Sequence, residues 1–264
     1  MVIPVHDDNP VRRTPWVTYV LIALNIAVFF VEPIQTIPTT TSSVSSLCEQ
    51  DRFFSQYAAV PKELTENKTL PPHRTVIKTD RGDVTCPVVK ETNKSPAFSV
   101  LTAMFLHGGL LHLLGNMLFL WVFGNNVEDR LGRIRYLLFY LICGYAAAYG
   151  FAIANANSTV PLIGASGAIA GVLGAYFVLF PNAKVTSLVP FLLFLPLRLP
   201  AWFVLGFWFV LQWIYSSGSA VASGAGVAYL AHVVGFVLGA AITLVLGLRR
   251  RDPPRRSRGG LRRA

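Results

Sequence analysis

Ser166 sits in Gly164-Ala165-Ser166-Gly167, one hydroxyl fenced by glycines at the mouth of an apolar run. A serine hydroxyl is a weak nucleophile at neutral pH and attacks a carbonyl only with a base beside it. The imidazole of His232 is the candidate base, because no carboxylate or lysine lies inside the apolar runs to compete with it. Attack on an acyl carbon creates an oxyanion, which demands preorganised donors. His112 and Asn116 offer a ring N–H and an amide NH2 at i and i+4, on one helix face, and the backbone N–H of Ser166 adds a third donor. With no acid in reach, the set makes a Ser-His dyad and not a triad.

Other chemistries lack their parts. An aspartyl mechanism needs two buried carboxylates, and a zinc mechanism needs H-E-x-x-H; the sequence has neither. His107 and His112 are five residues apart, which on a helix turns them roughly 140° from each other, so no metal is expected between them and no cofactor is implied. A transporter would carry charges along a path through both leaflets and show half-repeats, and neither occurs. Asn25 and Gln212, two further polar groups within apolar runs, read as interhelical hydrogen-bonding residues.

Those residues need helices to hold them. The chain of 264 residues is 53% hydrophobic and 14% charged, against about 25% charged in an ordinary soluble domain. A mean hydropathy of +0.51 points the same way, to a multi-pass membrane protein. Apolar runs suited to spanning are Pro15–Val31, Leu110–Val127, Tyr136–Asn155, Gly164–Phe180, Ala201–Tyr215 and Val227–Leu248. The expected architecture is therefore all-α, six transmembrane helices with a long first loop. Its parts are an N-terminal tail (1–14), the first helix (15–31), the long loop (32–98), a catalytic core (99–248) and a basic tail (249–264). The piece 188–197 is apolar but short and holds two prolines, so it reads as re-entrant or interfacial. Within the long loop, the segment 84–89 is a candidate strand, but no domain is expected there. Cys48 and Cys86, both in that loop, either pair or stay apart; the sequence leaves this open.

Arg130, Arg133 and Arg135 follow the second run, and Lys184 and Arg198 lie between the fourth and fifth, while 156–163 and 217–226 hold no Lys or Arg. That alternation puts both ends of the sequence in the cytoplasm. The net charge of +10 is concentrated in eight arginines between Arg249 and Arg263, which suit anionic lipid headgroups better than nucleic acid. Under this orientation runs two, four and six descend from the outer face, so His112, Asn116, Ser166 and His232 all fall in the outer half of the bilayer. Gly167, Gly171 and Gly174, and likewise Gly235 and Gly239, are spaced to let the fourth and sixth helices touch.

In these residues the chain resembles the rhomboid family of intramembrane serine proteases. The resemblance rests on GASG at 164–167, H-x-x-x-N at His112 and Asn116, A-H-x-x-G-x-x-x-G from Ala231 to Gly239, and VEDRLG at 127–132, and it covers residues 97 to 248. It implies Ser166 as nucleophile, His232 as base, and an oxyanion hole of His112, Asn116 and the Ser166 amide. It implies structural roles for His107, Gly164, Gly167, Gly235 and Gly239, with Glu128 and Arg130 bracing the adjoining loop, and 217–226 as a cap over a wet cavity. The implied substrates are single-span membrane proteins of the cell membrane, cut in or beside the helix. The alternative within the same fold is a rhomboid-like protein that binds membrane clients without cutting them. Phe98 and Ser99 stand where the family often has Trp-Arg, and Ala170 stands where it often has an aromatic ring supporting the base. His232 is thus expected to be less firmly oriented.

Overall fold

The protein's structure, a computed structural model, describes residues 3–33, 44–79, 82–89, 93–189, 195–217 and 228–248. The 217–226 cap, from residue 218 on, and the basic tail 249–264 lie outside the described residues. Strand β1 (Ile3–Asp7) precedes helix α1 (Trp16–Phe29). Next come α2 (Val44–Tyr57), α3 (Pro61–Glu66), the hairpin β2 (Val76–Thr79) and β3 (Gly82–Thr85), and α4 (Pro96–Ala103). Helix α5 (Leu110–Phe119), a π-helical turn (Leu120–Gly124) and α6 (Asn125–Leu131) run on as one rod, followed by α7 (Arg133–Ala154) and α8 (Ser166–Leu179). Strands β4 (Lys184–Val189) and β5 (Leu195–Pro200) lead to α9 (Ala201–Ser217) and α10 (Tyr229–Val245).

Among the described residues, two helices combine the length and hydropathy of a membrane crossing, Leu110–Leu131 and Arg133–Ala154, each of 22 residues. Helices α1, α8, α9 and α10 are apolar but shorter, at 14, 14, 17 and 17 residues. A helix that is apolar on every side has no face to give to water, so α8 takes the centre of the bundle. Ala168 through Tyr176 are buried without a break, packed against α7 and α10. The glycines make the second contact backbone to backbone. A Cβ on Gly235 would strike the carbonyl oxygen of Gly167, and one on Gly239 that of Gly171. Only glycine lets these two helices close so far, and their closeness carries His232 to Ser166.

The chain is mainly helical but not all-α. Two small antiparallel sheets correct that expectation, one of them ordered β1-β4-β5 and the other the β2-β3 hairpin. The described ends of the apolar piece 188–197, read from the sequence as re-entrant or interfacial, are β-strand. Leu188 and Val189 end β4, Leu195 to Leu197 begin β5, and Leu188 pairs with Pro196. Val185, Ser187 and Val189 alternate inward along β4, the period of a half-buried strand. Pro196 and Pro200 sit on β5, an edge strand, where a missing N–H is tolerated. The N-terminal tail supplies β1 to the same sheet.

The long loop is also more organised than the sequence reading expected. A disulfide joins Cys48 on α2 to Cys86 just after β3, with Cα atoms 5.3 Å apart. The Lys94 ammonium lies 2.7 Å from the Glu63 carboxylate, both side chains buried, and donates to the carbonyls of Ser55 and Ala58. A buried ion pair endures when further hydrogen bonds complete it, as here.

Candidate active site

Ser166 is the first residue of α8, preceded by Gly164 at φ +116°, a backbone that L side chains rarely adopt. The Gly164 N–H donates to the Ala103 carbonyl at 2.9 Å, pinning this turn to the end of α4. Across the helix contact, His232 Nε2 lies 2.7 Å from Ser166 Oγ, a hydrogen-bonding distance. His232 is 9% exposed and Ser166 half-buried, both lining a cavity of about 610 Å³.

His112 and Asn116 line the same cavity. Their convergence can be read from Gly164. A Cβ built there would lie 2.9 Å from both Cε1 and Nε2 of His112 and 3.7 Å from Asn116 Nδ2. The Gly108 N–H donates to His112 Nδ1 at 3.3 Å, so Nδ1 is the acceptor and a neutral ring carries its proton on Nε2, the atom facing Gly164. Asn116 Nδ2 is buried and has no acceptor among the described residues. The two donors thus converge at Gly164 in the cavity that Ser166 also lines. An arrangement of nucleophile, base and idle donors can perform acyl transfer.

Neighbouring residues fall elsewhere than the sequence alone placed them. His107 and His112 do not diverge. Helix α5 starts only at Leu110, so helical spacing does not apply, and the rings meet edge to face with centroids 5.1 Å apart. His107 is fully buried, and its backbone N–H donates to both carboxylate oxygens of Glu32 at 3.2 Å. Burial pushes Glu32 up to about 7, against the pull of that N–H. Burial and then the neighbouring His112 push His107 down to about 4.

Glu128 and Arg130 tie helix ends. The Glu128 carboxylate accepts from the N–H groups of Val17 and Thr18 at 3.0 and 2.7 Å and from the Thr18 hydroxyl at 2.8 Å. It therefore caps the N-terminus of α1, which has no cap of its own. Arg130 donates through Nε and Nη2 to the Leu248 carbonyl, at 3.0 and 2.8 Å. Asn25 is not an interhelical bridge, since its amide donates to Leu21 of its own helix. Gln212 does bridge helices, and its partner is His232 itself: Gln212 Oε1 lies 2.8 Å from His232 Nδ1.

The Rhomboid domain profile matches residues 94–249. Among curated relatives, the chain is 31% identical over 163 residues to RHOMBOID-like protein 6, mitochondrial, of Arabidopsis thaliana, covering 61% of this chain and 50% of the relative. It is 32% identical over 163 residues to RHOMBOID-like protein 1 of the same plant, covering 61% and 39%. It is 44% identical over 89 residues to Rhomboid protease GluP of Bacillus subtilis (strain 168), covering 32% and 16%. The chain thus spans half or less of the length of these relatives. The profile match extends over more than half of the chain and takes in the serine turn, the two donors and the imidazole. On that ground the chain is a membrane protein and belongs to the rhomboid family.

Proposed function

We propose that this protein is an intramembrane serine endopeptidase. Ser166 is the nucleophile and His232 the general base, while His112, Asn116 and the Ser166 amide form the oxyanion hole. One observation carries the reading, the 2.7 Å approach of Ser166 Oγ to His232 Nε2 inside a cavity that His112 and Asn116 also line. As Oγ bonds to the scissile carbonyl carbon, its proton passes to Nε2. The carbonyl oxygen takes the negative charge and accepts hydrogen bonds from the His112 Nε2–H and the Asn116 Nδ2–H, which keep their protons. Collapse of this adduct breaks the C–N bond, with the proton on Nε2 delivered to the leaving amine. Water then repeats the sequence on the acyl-enzyme.

The same reading takes α1, the α5–α6 rod, α7, α8, α9 and α10 as six spans, with both sequence ends on the cytoplasmic side of the cell membrane. The disulfide supports it, because a bond between Cys48 and Cys86 suits a first loop facing an oxidising compartment. The substrates are single-span membrane proteins, unwound locally so that a carbonyl can reach Ser166. The basic tail 249–264 meets anionic headgroups.

A fluorophosphonate probe on the full chain in detergent tests this. Labelling is expected, and Ser166→Ala and His232→Ala each abolish it. Cleavage of a single-span substrate reconstituted in the same vesicles should disappear with labelling. Labelling that survives Ser166→Ala moves the nucleophile elsewhere, and no labelling of the folded parent chain favours a client-binding, non-cutting protein.

A further inference from the structure

We infer that Gln212 is the positioning residue of the site, holding His232 in the one tautomer that can accept the Ser166 proton; this rests on the dyad reading above. The imidazole of His232 is held at both nitrogens. Nε2 faces Ser166 Oγ at 2.7 Å and Nδ1 faces Gln212 Oε1 at 2.8 Å. An amide oxygen only accepts, so the proton of a neutral ring must sit on Nδ1. That leaves the Nε2 lone pair aimed at the hydroxyl, as a general base requires. The opposite tautomer would put N–H toward Oγ and bring the Gln212 oxygen against an unprotonated nitrogen.

Position fits the role. Gln212 is 6% exposed, on α9, a different helix from both dyad members. Trp208, one turn earlier on the same helix, stacks obliquely on the imidazole with centroids 5.9 Å apart and an interplanar angle of 31°. Tyr229 meets the ring edge-on at 6.4 Å. Residue 170 on α8 is a fully buried alanine and gives no ring. Support for the base therefore comes from α9, which supplies a ring face and an acceptor at i and i+4.

Gln212 differs from a triad carboxylate in one respect. It carries no charge and cannot take a proton, so it fixes orientation and tautomer without offsetting the imidazolium charge. In the transfer from Oγ to Nε2, the Nδ1 proton stays in place throughout.

Two measurements on the full chain in detergent test this. In the first, ring-nitrogen NMR of [15N]histidine-labelled protein assigns His232 by its loss in His232→Ala. Nδ1 should be protonated and Nε2 bare in the parent chain, with that order lost in Gln212→Met, which matches the length without an acceptor. In the second, fluorophosphonate labelling should slow by about 10- to 100-fold in Gln212→Met, the loss expected for one buried hydrogen bond to the base. Gln212→Glu, which still accepts from Nδ1, should recover most of that rate, with the acid side of its rate profile moved to higher pH. Three results would overturn the inference: a bare Nδ1 in the parent chain, parental labelling by folded Gln212→Met, or Gln212→Glu reacting as slowly as Gln212→Met with no change in profile. A parent chain inert to the probe would sink the dyad reading instead, and the NMR measurement would then decide Gln212 by itself.

Discussion

Replacing Gly164 by alanine places a methyl group where the oxyanion would be stabilised. The added Cβ lies 2.9 Å from His112 Cε1 and Nε2, whereas carbon contacts settle at about 3.5–4.0 Å. The ring must therefore retreat by roughly 0.6–1 Å. Oxyanion donors act at about 2.7–3.1 Å, so a retreat of that size takes Nε2 out of range. Loss of one such donor costs about 10²–10³ in rate, or roughly 3–4 kcal/mol of transition-state stabilisation. Alanine at φ +116° adds backbone strain of about 1–3 kcal/mol to the folded state. Rate and stability must therefore be measured on the same samples. The assay is the second-order rate of fluorophosphonate labelling beside a thermal melt, for Gly164→Ala, His112→Ala and the double variant. If the methyl acts by displacing His112, the double variant reacts no more slowly than His112→Ala alone. Additive losses, or a Gly164→Ala rate within about threefold of the parent, would refute the placement of His112 Nε2 in the oxyanion hole.

Glu32 gives a pH signature. Its carboxyl is pushed up to about 7 in the fold from an ordinary 4.5, so the folded chain holds a proton that the unfolded chain releases. Stability should fall as pH rises from about 4.5 to about 7 and then level off, and Glu32→Gln should flatten that slope in melts across pH 4–8. Cys48→Ser paired with Cys86→Ser should lower the stability of the first-loop region by about 4 kcal/mol, the chain-entropy value for its 38-residue separation, read by protease resistance of the loop. Glu128→Ala strips the cap from α1 and leaves the Val17 and Thr18 N–H groups unpaired; it should cost about 2–4 kcal/mol in denaturation while labelling persists in the fraction still folded.

The polar residues of the candidate site stand out in the sequence because polar groups are sparse within apolar runs. Once carboxylates are absent from the apolar runs, Ser166, His112, Asn116 and His232 stand out by type, and helix direction gives them a common depth. The glycine register on α8 and α10 was legible for a similar reason, since small residues at those spacings have few uses besides close approach. The sheet was not legible, because β1 and the β4–β5 hairpin pair across about 180 residues of sequence, Ile3 with Leu188, and no local pattern announces such a pairing. The contact of His107 with His112 was missed by applying helical geometry to residues that precede the helix.

Gln212 is the more instructive miss. Taken alone, an amide in an apolar run is as well explained by hydrogen bonding within the helices as by chemistry, and Asn25, bonded to Leu21 of its own helix, is such a case. The depth argument that selected the quartet also applied to the fifth run. In the proposed orientation that run rises toward the outer face, and Gln212 lies near its far end, five residues before Ser217, within hydrogen-bonding distance of His232. Trp208 four residues earlier marks the face that turns toward the imidazole. Ala170 leaves the base without a supporting ring from α8, and a base that titrates and turns needs a fixed partner from somewhere. The fold supplies it from α9, so the rate of proton transfer in this chain should follow how firmly α9 is docked against α10.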